Sequence, residues 1–219
     1  MNILICGDSW GLGEHIDSEP WPRFGTDYYL KKLGYNITNI SKGGASNMMT
    51  YHYLTHQSLE NYDYIFLFYT NPFRNIWSKK NLLEQYLKYE KKSLKYDDYV
   101  NMYKNCVISF YEHLETLKTK IYLIGGHNKV EDTLLNSEYI INFIPSIREF
   151  LYPNFIARKI VFPNHHFNKI IDRFDEEAIE EIHSSKVFEN SLPNLHKRYF
   201  SQEPYHLDRE GHELLANYI

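Results

Sequence analysis

The sequence is poor in the residues that mark several protein classes. Only two of its 219 residues are cysteine, Cys6 and Cys106. That excludes a disulfide framework and a cysteine-built metal site, and both thiols read as reduced core residues. Positive charge is not in surplus: 24 Lys and Arg face 28 Asp and Glu, a net charge of −4. With a pI near 6.3, no overall basic field draws in nucleic acid or an anionic membrane, and neither is expected as a partner. No apolar stretch approaches the roughly 20 residues that span a bilayer. The first residues lack the basic region of a secretory signal, so the expected compartment is the cytoplasm of the producing cell, with a phage origin left open. Internal repeats and low-complexity linkers are also missing. Gly7, Gly11 and Gly13 do not have dinucleotide-binding spacing, and no Gly-Lys-Ser/Thr follows them.

What remains is an ordinary globular composition, 43% hydrophobic and 24% charged, long enough to bury a core within one domain over residues 1–219. Aromatics reach 16%, led by 20 Tyr. That is compatible with a sugar-binding or aryl-lined surface, but AT-rich coding bias explains it at least as well.

Taken in order, Ile3-Leu4-Ile5-Cys6 reads as a buried parallel strand stopped at Gly7-Asp8-Ser9. Trp21 to Lys32 reads as a helix with Phe24, Tyr28 and Leu33 on its apolar face and Gly34 as its stop. A second strand is expected over Asn36–Ile40. It ends in Ser41-Lys42-Gly43-Gly44-Ala45-Ser46-Asn47 and a helix from Asn47 to Leu59. Tyr64–Tyr69 is the clearest strand, closed at Thr70-Asn71-Pro72 because proline cannot continue a ladder. Residues 79–99, dense in Lys, Glu, Asp and Tyr, read as a solvated helical excursion or lid. The stripe Val100, Tyr103, Val107, Phe110, Leu114 and Leu117 predicts a helix facing the sheet, and Ile121–Ile124 a fourth strand. Residues 127–200 read as irregular, with Ile160-Val161-Phe162 as a candidate fifth strand and Asp175–His183 as an acidic surface helix. A final helix, Glu210–Ile219, is capped by Asp208 and carries Leu214, Leu215, Tyr218 and Ile219 as its apolar residues. Strands alternating with helices predict an α/β fold with a mostly parallel sheet between helical layers.

The candidate chemistry sits where those strands end. Serine-based acyl transfer needs a hydroxyl, a base, a group that orients the base, and donors for the oxyanion. Ser9 offers the hydroxyl and its own N–H. Gly44 lets the backbone approach closely, and the Asn71 side chain carries an NH₂. His206, just before the last helix, can serve as the base, and Glu203 stands three residues ahead of it. Arg74 reads as a structural ion pair rather than a substrate anchor, and Trp10 as a pocket wall. His165-His166 does not read as a metal site, because adjacent side chains point apart.

Gly7-Asp8-Ser9, a glycine after the second strand, an asparagine after the third and a histidine before the terminal helix together resemble the SGNH (GDSL-type) hydrolase family. The match covers about the first 75 residues and the last 17. The resemblance implies a flavodoxin-like three-layer α/β sandwich and hydrolysis of acyl esters without cofactor or metal. Ser9 would be the nucleophile, Gly44 and Asn71 oxyanion donors, and His206 the base. It further implies a small-molecule or carbohydrate ester as partner, with oligomeric state left open. Two departures stand out. Glu203 replaces the family's aspartate, and Tyr69-Thr70-Asn71-Pro72 replaces Gly-x-Asn-Asp. Two alternatives stay in view: a catalytically silent binding module on the same fold, and an acyltransferase using the same serine and histidine.

Overall fold

A computed structural model describes residues 1–13, 24–74, 96–126, 130, 137–151, 207 and 209–219. Its elements are β1 (Asn2–Gly7), α1 (Ser9–Leu12), α2 (Thr26–Lys32), β2 (Asn36–Asn39), α3 (Asn47–Leu54), β3 (Tyr64–Tyr69), α4 (Tyr96–Glu115), β4 (Ile121–Gly125), β5 (Ile140–Ile144), α5 (Ile147–Leu151) and α6 (Arg209–Tyr218).

The five strands form one sheet in the order β2-β1-β3-β4-β5, and every pairing is parallel. Parallel strands covered on both faces need apolar side chains pointing both ways, and the central strands supply them. In β1, Leu4 and Cys6 enter one core while Ile3 and Ile5 enter the other. In β3, Ile65, Leu67 and Tyr69 face the first core, with Phe66 and Phe68 on the opposite side. The first core is closed by Leu54 of α3 and by Tyr103, Val107, Phe110 and Leu114 of α4, the stripe expected from the sequence. The second is closed by Tyr29 and Leu30 of α2 and by Leu215 and Ala216 of α6. The result is a flavodoxin-like three-layer α/β fold.

Several boundaries differ from expectation. α2 starts at Thr26, because Phe24 has φ 54° and Gly25 is the extended cap. Its buried residues are Thr26, Tyr29 and Leu30, while Leu33 is exposed. It does stop at Gly34, where Tyr35 N–H donates to the Leu30 carbonyl and Gly34 N–H to that of Lys31, a Schellman ending. α3 ends at Leu54 instead of Leu59, and the Thr55 hydroxyl turns back onto the His52 carbonyl at 2.7 Å. Residues 96–99 belong to α4 and not to a separate excursion. The fifth strand is Ile140–Ile144, inside the stretch expected to be irregular. α6 buries His212 with Leu215 and Ala216, and leaves Leu214 and Tyr218 exposed. Residues 79–95, the Ile160–Phe162 strand, the Asp175–His183 helix, His165-His166 and the Asp208 cap lie outside the described residues.

Among the described residues, no helix is long and apolar enough to cross a membrane. The same residues contain no group of three or more His, Cys, Asp or Glu side chains placed to hold a metal ion.

Candidate active site

In this strand order, the chain runs from β1 to β2 on one side and then crosses to β3 on the other. The topological switch point therefore falls between the carboxyl ends of β1 and β3, the usual ligand position in open α/β sheets. Three of the sequence candidates lie at that edge: Ser9 after β1, Gly44 after β2 and Asn71 after β3.

The turn after β1 is built for a sharp exit from the strand. Gly7 has φ +136°, and a Cβ there would lie 2.6 Å from the Phe68 carbonyl oxygen of β3. No other residue fits. Asp8 is extended and buried, and its Oδ1 accepts the Trp10 N–H at 3.0 Å. That cap starts a single helical turn whose first residue is Ser9, half-buried at the sheet edge.

Trp10 is not a pocket wall. It is fully buried in the core that holds Ile3 and Ile5. The short helix turns it inward, and a Cβ on Gly126 would come within 3.0 Å of its ring.

After β2, Asn39 fastens two neighbours. Its Nδ2 donates to the Gly11 carbonyl at 2.8 Å, and its Oδ1 accepts the Ser41 N–H at 3.0 Å. Lys42 N–H donates to the Gly7 carbonyl at 3.0 Å, so this loop rests on the end of β1. Ala45 N–H closes a turn onto the Lys42 carbonyl at 3.0 Å, and Gly44, at its third position, has φ +73°. Glycine is the residue that such a turn requires there. Ser46 then caps α3, its Oγ accepting the Met49 N–H at 3.1 Å.

After β3, the Asn47 amide behaves like a strand neighbour to Thr70. It donates to the Thr70 carbonyl and accepts the Thr70 N–H, both at 2.9 Å and both buried. Asn71 follows, 5% exposed. Its Oδ1 accepts the Phe73 N–H at 2.8 Å, which leaves the NH₂ as the end that can meet a substrate oxygen. Arg74 N–H donates to the Asn71 carbonyl at 3.1 Å. Pro72 thus occupies the second position of a four-residue turn, where proline is favoured. This departure from the family pattern is compatible with the asparagine's placement.

Charge at the site is concentrated in one pair. Arg74 Nη1 lies 3.1 Å from Asp8 Oδ2, with the side chains 15% and 1% exposed. The same Nη1 donates to the Ala45 carbonyl at 3.1 Å. Arg74 is therefore in an ion pair, as the sequence suggested, and Asp8 accepts from both the Trp10 N–H and the guanidinium. The nearby Cys6 thiol is buried and accordingly pushed up from its ordinary range, and Cys106 in α4 is raised for the same reason. Both thiols are free.

Glu203 and His206 lie outside the described residues. Leu207 is described and fully buried, in the same core as Trp10. In α6, buried His212 meets Thr26 Oγ1 through its Nδ1 at 2.9 Å, tying α6 to α2. Sequence reading missed the bracing roles of Asp8, Asn39 and Asn47. The one available signal was polar, turn-forming residues standing at strand ends and helix starts.

No protein-family model matches the sequence, and no curated protein matches it. Solved structures do. One is a lipolytic protein of the G-D-S-L family from Desulfitobacterium hafniense DCB-2, at 12% identity and TM-score 0.49, covering 99% of this chain and 96% of the other. Another is the lipase/acylhydrolase from Enterococcus faecalis, at 14% identity and TM-score 0.44, covering 99% and 91%. At such identities and scores the likeness assigns no chemistry, which must rest on this chain's own residues.

Proposed function

We propose that the chain is a serine esterase that hydrolyses acyl esters through an acyl-enzyme. The observation that carries this reading is the gathering of Ser9, Gly44 and Asn71 at the carboxyl ends of three adjacent strands, with the side-chain Oδ1 of Asn71 already engaged by the Phe73 N–H. Ser9 Oγ attacks the ester carbonyl while His206 takes its proton, and Glu203 accepts from the other ring nitrogen. The N–H groups of Ser9 and Gly44 and the Asn71 NH₂ hold the oxyanion. His206 returns the proton to the leaving alcohol and then activates the water that releases the acid. Short acyl groups on a carbohydrate are the proposed substrate class, in keeping with the Tyr-rich composition.

The test is fluorophosphonate labelling of wild type, Ser9→Ala and His206→Ala, followed by peptide mapping. Rapid label on Ser9, lost in both variants, is expected. A folded wild type that takes no label overturns the mechanism and favours a silent binding module. If labelling succeeds, product analysis with added acceptor alcohols separates hydrolysis from acyl transfer.

A further inference from the structure

Arg74 does more than neutralise a buried carboxylate. Its Nη1 reaches Asp8, the residue before Ser9, and the carbonyl of Ala45, the residue after Gly44. Its backbone N–H holds the carbonyl of Asn71 itself. One residue thus touches all three loops that bear the oxyanion donors, although its partners stand 66 and 29 residues away in sequence. A guanidinium suits the task. Its donors are fixed in one plane, so two acceptors bound to it are held at a set spacing, whereas an ammonium on a flexible stem acts as a point charge. The site is shielded as well, with Asp8 nearly sealed from solvent and Arg74 mostly so.

We propose that Arg74 is a positioning residue that sets the spacing of the Ser9, Gly44 and Asn71 donors without touching substrate. This rests on the esterase reading above. Oxyanion donors act at about 2.7–3.1 Å from the developing charge, and a misplacement of about 1 Å can cost about 10²-fold in rate. Asp8 passes the constraint to the Ser9 turn because one carboxylate oxygen takes the Trp10 N–H and the other takes Arg74. An ion pair serving stability alone would leave the donors where they are.

The experiment uses the full chain and p-nitrophenyl acetate, with Arg74→Lys, Arg74→Ala and Asp8→Asn compared with wild type. In Arg74→Lys, kcat is expected to fall about 10- to 100-fold, with KM changed by less than about threefold, the pattern of an interaction needed in the transition state. Asp8→Asn is expected to act in the same direction, and the double variant to fall no further than the worse single one. Added methylguanidinium at millimolar concentration is expected to restore part of the Arg74→Ala rate. Unchanged kcat in folded Arg74→Lys, or a change in KM alone, overturns the proposal. Backbone and side-chain amide NMR adds a readout that needs no turnover. The Gly44 N–H and the Asn71 NH₂ resonances are expected to shift in Arg74→Lys, and shifts confined to Asp8 and Arg74 overturn the proposal. A wild type inert toward ester and fluorophosphonate sinks the esterase reading, and the NMR comparison still decides the role of Arg74.

Discussion

Replacing Asn47 with alanine removes two buried hydrogen bonds at once, both 2.9 Å long and both made to the backbone of Thr70. Thr70 is 1% exposed, so water cannot easily take over. A buried group left without its partner costs about 1–3 kcal/mol. Alanine recovers about 0.5 kcal/mol through its better helix propensity. The net loss is then about 2–5 kcal/mol. For a chain of this length each kcal/mol moves Tm by about 2–4 °C, so the midpoint should drop by about 4–20 °C. Asn47→Asp sharpens the test. One of its oxygens can still accept the Thr70 N–H, but the other faces the Thr70 carbonyl and repels it unless protonated. The folded state therefore raises this carboxyl above its unfolded value of about 3.9. A raised group binds more protons when folded, so its stabilising contribution is fully present below the unfolded value and is lost as pH rises through the folded one. Relative to wild type, Asn47→Asp should gain stability as pH falls from 7 toward 4.5. Urea denaturation at constant m-value measures both effects. A cost below about 0.5 kcal/mol for Asn47→Ala, the range of neutral surface changes, would refute the reasoning. So would a pH-independent gap between Asn47→Asp and wild type.

Asn71→Ala should lower kcat on short-acyl esters by about 10²–10³-fold in a protein that still folds, and a loss under threefold would remove Asn71 from the oxyanion site. Gly11→Ala would place a Cβ 2.3 Å from Ser41 Oγ and 3.1 Å from the Phe68 ring. Such overpacking should cost about 1–3 kcal/mol in urea denaturation, and Ser41→Ala should relieve part of it in the double variant. Burial holds both thiols above their ordinary range, and the thiolate is the reacting form. Cys6 and Cys106 should therefore react with Ellman's reagent at pH 8 more slowly than free cysteine, with two thiols released promptly on denaturation. Fast release of both from native protein would contradict their burial.

The central strands were legible because burial on both faces demands unbroken apolar runs, and β1, β3 and β4 have them. The β3 boundaries, Tyr64 and Tyr69, were read without error. β5 escaped notice for the opposite reason. Asn142 interrupts Ile140–Ile144, the middle of the strand is only half-buried, and its register against β4 shifts between Leu123 and Ile124. Trp10 was misread because position beside a candidate nucleophile says nothing about rotation, and one helical turn sends successive side chains in different directions. At the site, the residue types at the strand ends were legible: Ser9, Gly44 and Asn71 each occur in a turn with recognisable local chemistry. Their bracing was not. The Asn47–Thr70 and Asp8–Arg74 pairings join positions 23 and 66 residues apart, and a single sequence carries no mark of which distant polar residues will meet.

The strand order also has a consequence for how the chain is made. β1 is an interior strand, and its partner β3 pairs with it from Ile3 against Tyr64 to Gly7 against Phe68. Those partners leave the ribosome about 60 residues apart, which at about 5–20 residues per second means a delay of about 3–12 s. During that interval Ile3, Leu4, Ile5 and Cys6 have no partner on the β3 side, and the four-residue β2 can cover only the other edge. Parallel pairing over such a separation is slow to form and prone to aggregation. For those seconds the segment that will seat Ser9 is a bare apolar strand, and keeping it apart from other nascent chains becomes part of making the protein.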